Sequence, residues 1–346
     1  MIRIFTDCHI GNSAGAHTTH SSSKLLDQRI FDNAMLATKQ GSPEQTTVCV
    51  GDLFDKFSNK ESVILQGMSV AKNCDIVLAG NHDLSNRDSV ESSIAIVGKV
   101  FDNVCVAKVN ETKVEHFEAE CGAEFTVIPH HSSQDLFDEA IIQVCTGVTK
   151  DLLFLHCNFN SPFANNDSSL NITPEQCEEL LKYYRYIILG HEHNTRWEMQ
   201  GRLLVVGTPH PTNFGDISDK YFWDYNSATR ELYETQLWSK GESYLKLTVK
   251  QLLDGAFVSV GKDFIEVVGT DIEPDLAPEI AQAMHSIWQV TPELLMLRNN
   301  VSYKSLAVAT VDKTTQLEDV TKAISKDLEG GDLHELWITN LKSVEN

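Results

Sequence analysis

Five short apolar runs in this 346-residue chain each end in a polar cluster carrying Asp, Asn or His, and that coincidence constrains the fold more than any other feature. Ile2–Thr6 leads into Asp7-Cys8-His9, and Thr47–Val50 into Gly51-Asp52-Leu53-Phe54-Asp55. Ile76–Ala79 leads into Gly80-Asn81-His82-Asp83, Leu152–Leu155 into His156, and Tyr186–Leu189 into Gly190-His191-Glu192-His193. Continuous apolar runs of this length read as strands buried on both faces. Amphipathic stretches near Lys24–Thr38, Lys60–Ala71, Arg87–Val97 and Thr173–Tyr184 read as helices between them, the last opened by a Thr-Pro-Glu-Gln capping box. Strands alternating with helices define an α/β domain, and open α/β sheets bind ligands at the carboxyl ends of their strands, where these clusters fall.

The clusters supply carboxylate, imidazole and amide oxygen, a donor mixture that suits Mn²⁺, Fe²⁺ or Zn²⁺ better than Ca²⁺. Two residues apart on extended backbone, Asp7 and His9 point the same way, as do His191 and His193. Gly51, Gly80 and Gly190 read as sites of a sharp turn or a close approach to an anion. Taken singly, each cluster has a plain reading as a surface turn or a satisfied core histidine. All five together, in one order and at strand ends, point to a metal centre.

That order, Asp-x-His, Gly-Asp-x-x-Asp, Gly-Asn-His-Asp, His, Gly-His-x-His, resembles the calcineurin-like metallophosphoesterases over about Met1 to Tyr225. The resemblance implies a four-layer sandwich of two mixed sheets flanked by helices. It also implies two divalent metal ions, Mn²⁺ by preference, one held by Asp7, His9, Asp52 and His193. The other would be held by Asp52, Asn81, His156 and His191, with Asp52 bridging. Two such cations clamp the non-bridging phosphate oxygens and lower the pKa of a water between them. His82 would face the scissile phosphate as a catalytic residue, stabilising charge or protonating the leaving oxygen. Asp83 would orient or charge-stabilise His82, and Asp55 would support a ligand from behind.

Within that superfamily the chain resembles the SbcD-type DNA repair and recombination nucleases. The resemblance rests on Asp7-Cys8-His9-Ile10-Gly11, on Lys56 and Asp83 at positions where the protein phosphatases carry Arg and Glu, and on Gly207-Thr208-Pro209 leading to Phe214-Gly215-Asp216. It implies exonuclease and endonuclease activity on DNA ends, a homodimer, and an SbcC-like ATPase partner with a long coiled coil. A small-molecule or nucleotide phosphodiesterase or phosphatase of the same superfamily is the rival reading, and a non-catalytic scaffold that recruits a partner to DNA is a third.

Other segments carry open alternatives. His210, in Gly207-Thr208-Pro209-His210-Pro211, reads as a ligand support or a substrate contact, and His130-His131 as groove lining or an exposed loop pair. His17 and His20 lie in a polar loop, Gly11–Ser23, and Trp197 and Trp223 read as core. Alternating segments at Lys113–Ala119, Glu124–Ile128, Arg196–Gln200, Leu203–Val206, Tyr221–Tyr225 and Glu231–Leu237 predict a second sheet. Residues 1–240 read as the nuclease domain and 241–315 as a smaller α+β capping domain, with strands at Tyr244–Val249, Phe264–Val268, Leu294–Leu297 and Ser305–Val311 and a helix at Asp275–Trp288. Residues 316–346 read as C-terminal helices around Gly330-Gly331, whose apolar stripe of Leu333, Leu336, Trp337 and Leu341 either folds back on the chain or docks on the ATPase.

Composition sets limits. No apolar run reaches membrane-spanning length, and the start carries no signal-peptide pattern, so a cytoplasmic protein is expected. Eight scattered cysteines with no Cys-x-x-Cys pair read as small core residues, not disulfides or a zinc framework. The net charge of −21 excludes a generic basic nucleic-acid coat and is the main objection to a DNA substrate. Bound cations would reverse the field locally.

Overall fold

The structure, a computed structural model, describes residues 1–12, 20–39, 44–84, 92–161, 170–255 and 261–304. In chain order the strands of the first sheet begin with β1 (Ile2–Phe5), β2 (Thr46–Cys49), β3 (Ile76–Leu78) and β4 (Val104–Cys105), and helices α1 (His20–Ala37), α2 (Glu61–Ala71) and α3 (Ser93–Val100) lie between them. Next come β5 (Glu115–Glu118), β6 (Glu124–Ile128), α4 (Gln134–Val144), β7 (Lys150–His156), the short pair β8 (Asn158–Phe159) and β9 (Asn171–Ile172), α5 (Pro174–Leu180), β10 (Tyr184–Gly190), β11 (Arg196–Glu198) and β12 (Leu203–Val205). The hairpin of β13 (Lys220–Asn226) and β14 (Glu231–Trp238) then returns to the first sheet.

Two six-stranded mixed sheets result, ordered β14-β13-β1-β2-β3-β4 and β11-β12-β10-β7-β6-β5. Their centres are parallel; β13 and β14 add antiparallel to the first sheet, whose opposite edge β4 is parallel, while β11 and β5 are antiparallel edges of the second, which is aligned so that Gly190 lies opposite His156. The period of two along each strand sorts the side chains between layers. Ile2, Ile4, Val48, Val50, Leu78, Leu152, Phe154 and Ile188 fill the space between the sheets. Phe5, Cys49 and Val77 face the other way, toward α1, α2 and α3, while Leu153, Leu155, Ile187 and Leu189 face α4 and α5. The layers are therefore helices, sheet, sheet, helices, as the sequence implies. All eight cysteines are free thiols. Among the described residues no helix is long and apolar enough to cross a membrane.

Helix α4 was not anticipated from the sequence. Ser133 caps it by accepting the Leu136 amide, and Phe137, Ala140, Ile141 and Val144 form its buried face. The Thr173–Gln176 capping box at α5 forms as predicted. Trp223 is buried, whereas Trp197 is 40% exposed and meets Trp223 edge-on, so only one of the two is a core residue.

After α6 (Lys240–Ser243) a three-stranded parallel sheet is formed by β15 (Tyr244–Thr248), β16 (Phe264–Ile272) and β17 (Met296–Tyr303), with α7 (Val249–Leu253) and α8 (Ala277–Val290) crossing over it. It has its own core, including Leu247, Leu252, Ile265, Val267, Ile280 and Ile287. A separate cluster joins it to the sandwich: Leu26 and Ile30 of α1 and Trp238 of β14 meet Phe264, Leu295 and Met296. The predicted strand Ser305–Val311 and the tail with Leu333, Leu336, Trp337 and Leu341 lie outside the described residues.

Candidate metal centre

The carboxyl ends of β1, β2, β3, β7 and β10 converge on one edge of the sandwich and bring all five sequence clusters together. Beyond β1 and β2 the two chains stay paired as loops: Asp7 and His9 donate their amides to the carbonyls of Gly51 (2.9 Å) and Asp52 (3.0 Å). The ligand-bearing backbone is not extended here, contrary to the sequence expectation. Asp7, His9, Asp52 and His191 all take left-handed φ values, 52°, 47°, 48° and 89°. Side chains other than Gly rarely adopt this conformation, so the site holds local strain that the surrounding pairing sustains.

The glycines make room for neighbouring side chains. A Cβ at Gly80 would overlap Asp52 Oδ1 and press on His156 Nε2. Gly51, at φ +110°, leaves room for the His156 ring, where a Cβ would collide with it.

Among the described residues three groups of donors form: Asp7, His9 and His193; Asp52, His156 and His191; and, sharing His9 with the first, His9, Asp55 and His82. In the first, His9 Nε2 and His193 Nε2 are 3.0 Å apart, with Asp7 Oδ1 3.8 Å from His9 Nε2. In the second, Asp52 Oδ2 lies 3.3 Å from His156 Nε2, and Asn81 Oδ1 lies 3.1 Å from His156 Nε2 and 2.8 Å from His191 Nδ1. Asp52 Oδ2 is also 3.9 Å from His9 Nε2, which puts this carboxylate between the two groups. Its other oxygen accepts the His82 amide at 2.9 Å.

These donors fit a cation. The Val50 carbonyl, 2.8 Å from His156 Nδ1, can only accept, so Nδ1 carries a proton and Nε2 is the nitrogen turned toward Asp52 and Asn81. That ring nitrogen, a carboxylate oxygen and an amide oxygen converge, and without a metal ion a second ring proton on His156 supplies the positive charge that such a buried cluster needs. The titration behaviour has the same cause. Burial opposes charging of His9 and His156, yet the Asp55, Asp52 and Asp7 carboxylates push His9 up to about 9, and Asp52 pushes His156 up to about 10. Burial would raise Asp52, but His156, His9 and His82 hold it well below the usual carboxylate range. His191, buried beside His156, is pushed down to about 4 and so stays neutral.

His82 is the exposed member of the cluster. Its Nδ1 donates to the Asp55 carbonyl (2.8 Å), which leaves Nε2 free, and its ring stands edge-on to His9 at 4.9 Å. The Asp55 carboxylate lies 3.5 Å from His9 Nδ1.

Asp83 departs from its expected role. It is buried, and its oxygens accept the amides of Phe54 (2.9 Å), Gly80 (2.9 Å) and Leu53 (3.2 Å). It fastens the Gly80 turn to the Asp52 turn and so positions ligands instead of touching the His82 ring. Burial and the charge of Asp52 push it up to about 7.

His210 lies away from the surface. It is buried against Trp238 and Phe264, its Nδ1 bonded to the Pro211 carbonyl. The His130-His131 pair is buried, not exposed. His131 bridges the Pro129 carbonyl and the Lys113 amide, while His130 lies 6.4 Å ring to ring from His156. Two residues without an assigned role from sequence, Asp216 and Lys220, also reach the site: Asp216 Oδ2 lies 3.4 Å from His193 Nδ1, and Lys220 Nζ donates to the His193 carbonyl at 2.8 Å. The Phe-Gly-Asp run ahead of β13 was the available signal for the first; a lysine opening a strand carried none.

Two adjoining donor groups sharing a carboxylate, overlooked by an exposed histidine, define the centre of a metal-dependent phosphoester hydrolase. The sequence pattern of the calcineurin-like phosphoesterases matches residues 1–195, more than half the chain, and the chain belongs to that family. Curated proteins give no match. Solved structures that match include a protein assigned as a 5'-nucleotidase from Staphylococcus aureus, in complex with alpha-ketoglutarate. The identity is 12% and the TM-score 0.40, over 68% of this chain and 52% of that one. The chain thus spans about half the length of that structure, and the likeness supports no statement about substrate.

Proposed function

We propose that the chain is a two-metal phosphodiesterase acting on DNA ends, the nuclease subunit of an SbcC–SbcD-like complex. The observation that carries the catalytic part is the convergence of donors on both sides of Asp52. Asp7, His9, Asp52 and His193 would hold one divalent ion, and Asp52, Asn81, His156 and His191 the other, with Mn²⁺ the proposed metal. Bound there, two ions supply Lewis acidity toward the phosphate oxygens and acidify a water. The chain's own residues do the rest. Asp52 sets the spacing, Asp83 locks the turns, and His82, anchored through Nδ1, presents Nε2 toward the open side, where it can stabilise or protonate a leaving oxygen.

The DNA reading is supported by the SbcD-like sequence features and by the second module, residues 241–315 in our division, whose Phe264 packs beside the loop next to the site. The same reading assigns residues 316–346 to ATPase docking and places the protein in the cytoplasm as a homodimer. The rival, a small-molecule or nucleotide phosphodiesterase or phosphatase, is favoured by the net charge of −21. Assays with Mn²⁺ on linear duplex DNA, short single-stranded DNA, bis-p-nitrophenyl phosphate and nucleotides separate the two. Release of nucleotides from DNA supports the nuclease. Turnover of the small esters alone, with and without a candidate ATPase, sinks it.

A further inference from the structure

The segment between β12 and β13 is tied to the first donor group at one face and to the second module at the other. At the inner face the His193 carbonyl accepts from Lys220 Nζ (2.8 Å) and from the Thr208 amide (3.2 Å). The His193 ring points Nε2 at His9 and Nδ1 at Asp216 Oδ2 (3.4 Å), a charge contact at the long end for a hydrogen bond. Asp216 is itself buried and preset: its oxygens accept the amides of Thr212 (3.0 Å) and Asn213 (3.0 Å) and the Thr212 hydroxyl (3.0 Å). Lys220 is fully buried at the point where the β13–β14 pairing shifts register. At the outer face Phe214 stacks edge-on against Phe264 at 5.7 Å, and Asn33 Nδ2 of α1 donates to the Pro209 carbonyl at 3.2 Å.

We propose that Asp216 is a positioning residue for His193: it accepts from the Nδ1–H, fixes that tautomer, and leaves Nε2 bare toward Asp7 and His9. Lys220 holds the same residue by its backbone, so ring and main chain are set independently. An imidazole can carry its proton on either nitrogen, and a carboxylate behind one of them decides which and makes the other more basic. A carboxylate already fixed by two amides and a hydroxyl does this without reorganising. The proposal rests on the two-ion reading of the centre and is independent of whether the substrate is DNA.

The test titrates Mn²⁺ into the metal-free full-length protein by calorimetry and counts bound ions. The wild type is expected to take two. Asp216→Asn is expected to weaken one of them by ~10–100-fold and leave the other unchanged. Asp216→Glu should recover part of the loss. Thr212→Val removes the hydroxyl's bonds to Asp216 and Asn213 while both amides still hold the carboxylate, and should bind both ions as the wild type does. Wild-type binding by Asp216→Asn overturns the proposal, and so does an equal loss in Thr212→Val, which would mean that Asp216 only folds the segment. Long-range ¹H–¹⁵N spectra of the metal-free wild type give a measurement free of any folding defect: the neutral His193 ring should carry its proton on Nδ1, and an Nε2–H tautomer overturns the proposal. If the wild type binds fewer than two ions while Nδ1 is protonated, the two-ion reading fails and the positioning of His193 stands.

Discussion

Asp52 Oδ2 faces His156 Nε2 across 3.3 Å, while the opposite nitrogen of that ring is tied to the Val50 carbonyl at 2.8 Å. The carboxylate and that nitrogen thus face each other, and the same oxygen reaches toward His9 at 3.9 Å. Asp52 is therefore the ligand whose loss touches both donor groups. Asp52→Asn should lower Mn²⁺-dependent hydrolysis by more than the ~10–100-fold typical of a residue behind a ligand, with the fold intact by circular dichroism. Near-wild-type turnover in that variant would remove Asp52 from the bridging role.

His82 bonds to the Asp55 carbonyl and to an Asp52 oxygen only through its backbone amide, so binding and chemistry should separate there. His82→Ser should retain two ions by mass spectrometry and lose ~10²–10⁴-fold in turnover, the range for a general acid or base. Loss of one ion would make His82 a ligand.

Asp83→Ala leaves the buried amides of Leu53, Phe54 and Gly80 without their acceptor. Each unsatisfied group costs ~1–3 kcal/mol, so urea midpoints should fall sharply, and metal affinity with them. If stability is unchanged and only turnover falls, Asp83 acts on His82 after all.

Metal affinity should depend steeply on pH. His9 and His156 are held protonated up to about 9 and about 10 in the metal-free protein, and both protons must leave when an ion enters. Binding should therefore tighten as pH rises from 6 toward about 10 and then level off. The metal-free protein responds in the opposite sense. The stability from these raised pKa values is fully present below the unfolded value of ~6.5 and is lost as pH rises through about 9 and about 10. Calorimetric titrations and melting curves between pH 6 and 10 check both directions, and a flat affinity profile would contradict them.

The tail carries the partner proposal. Ending the chain at Gly330 should leave metal-dependent cleavage of short single-stranded DNA intact but abolish co-purification with the ATPase and ATP-stimulated degradation of duplex DNA, because Leu333, Leu336, Trp337 and Leu341 are removed. Unchanged partner affinity moves the docking site elsewhere. Aggregation or loss of basal activity assigns the stripe to the chain's own core.

By itself the sequence determined the layers and the donor inventory. Runs such as Leu152–Leu155 are apolar at every position because both faces of a central parallel strand are covered, and a polar cluster at the end of such a run has only the sheet edge to occupy. The order of the clusters then sufficed to collect Asp7, His9, Asp52, Asn81, His156, His191 and His193. Tertiary structure alone decided what each polar residue faces. Asp83 and His82 are neighbours in sequence, but the left-handed turn at Asp52 brings the Leu53 and Phe54 amides to Asp83, while His82 turns outward to the Asp55 carbonyl. His210 and Asp216 lie six residues apart, yet one is sealed against Trp238 and Phe264 and the other faces His193. Spacing places residues on an element, but the partner of a buried polar atom is set by contacts between segments far apart in the chain, here 184 residues apart for His9 and His193.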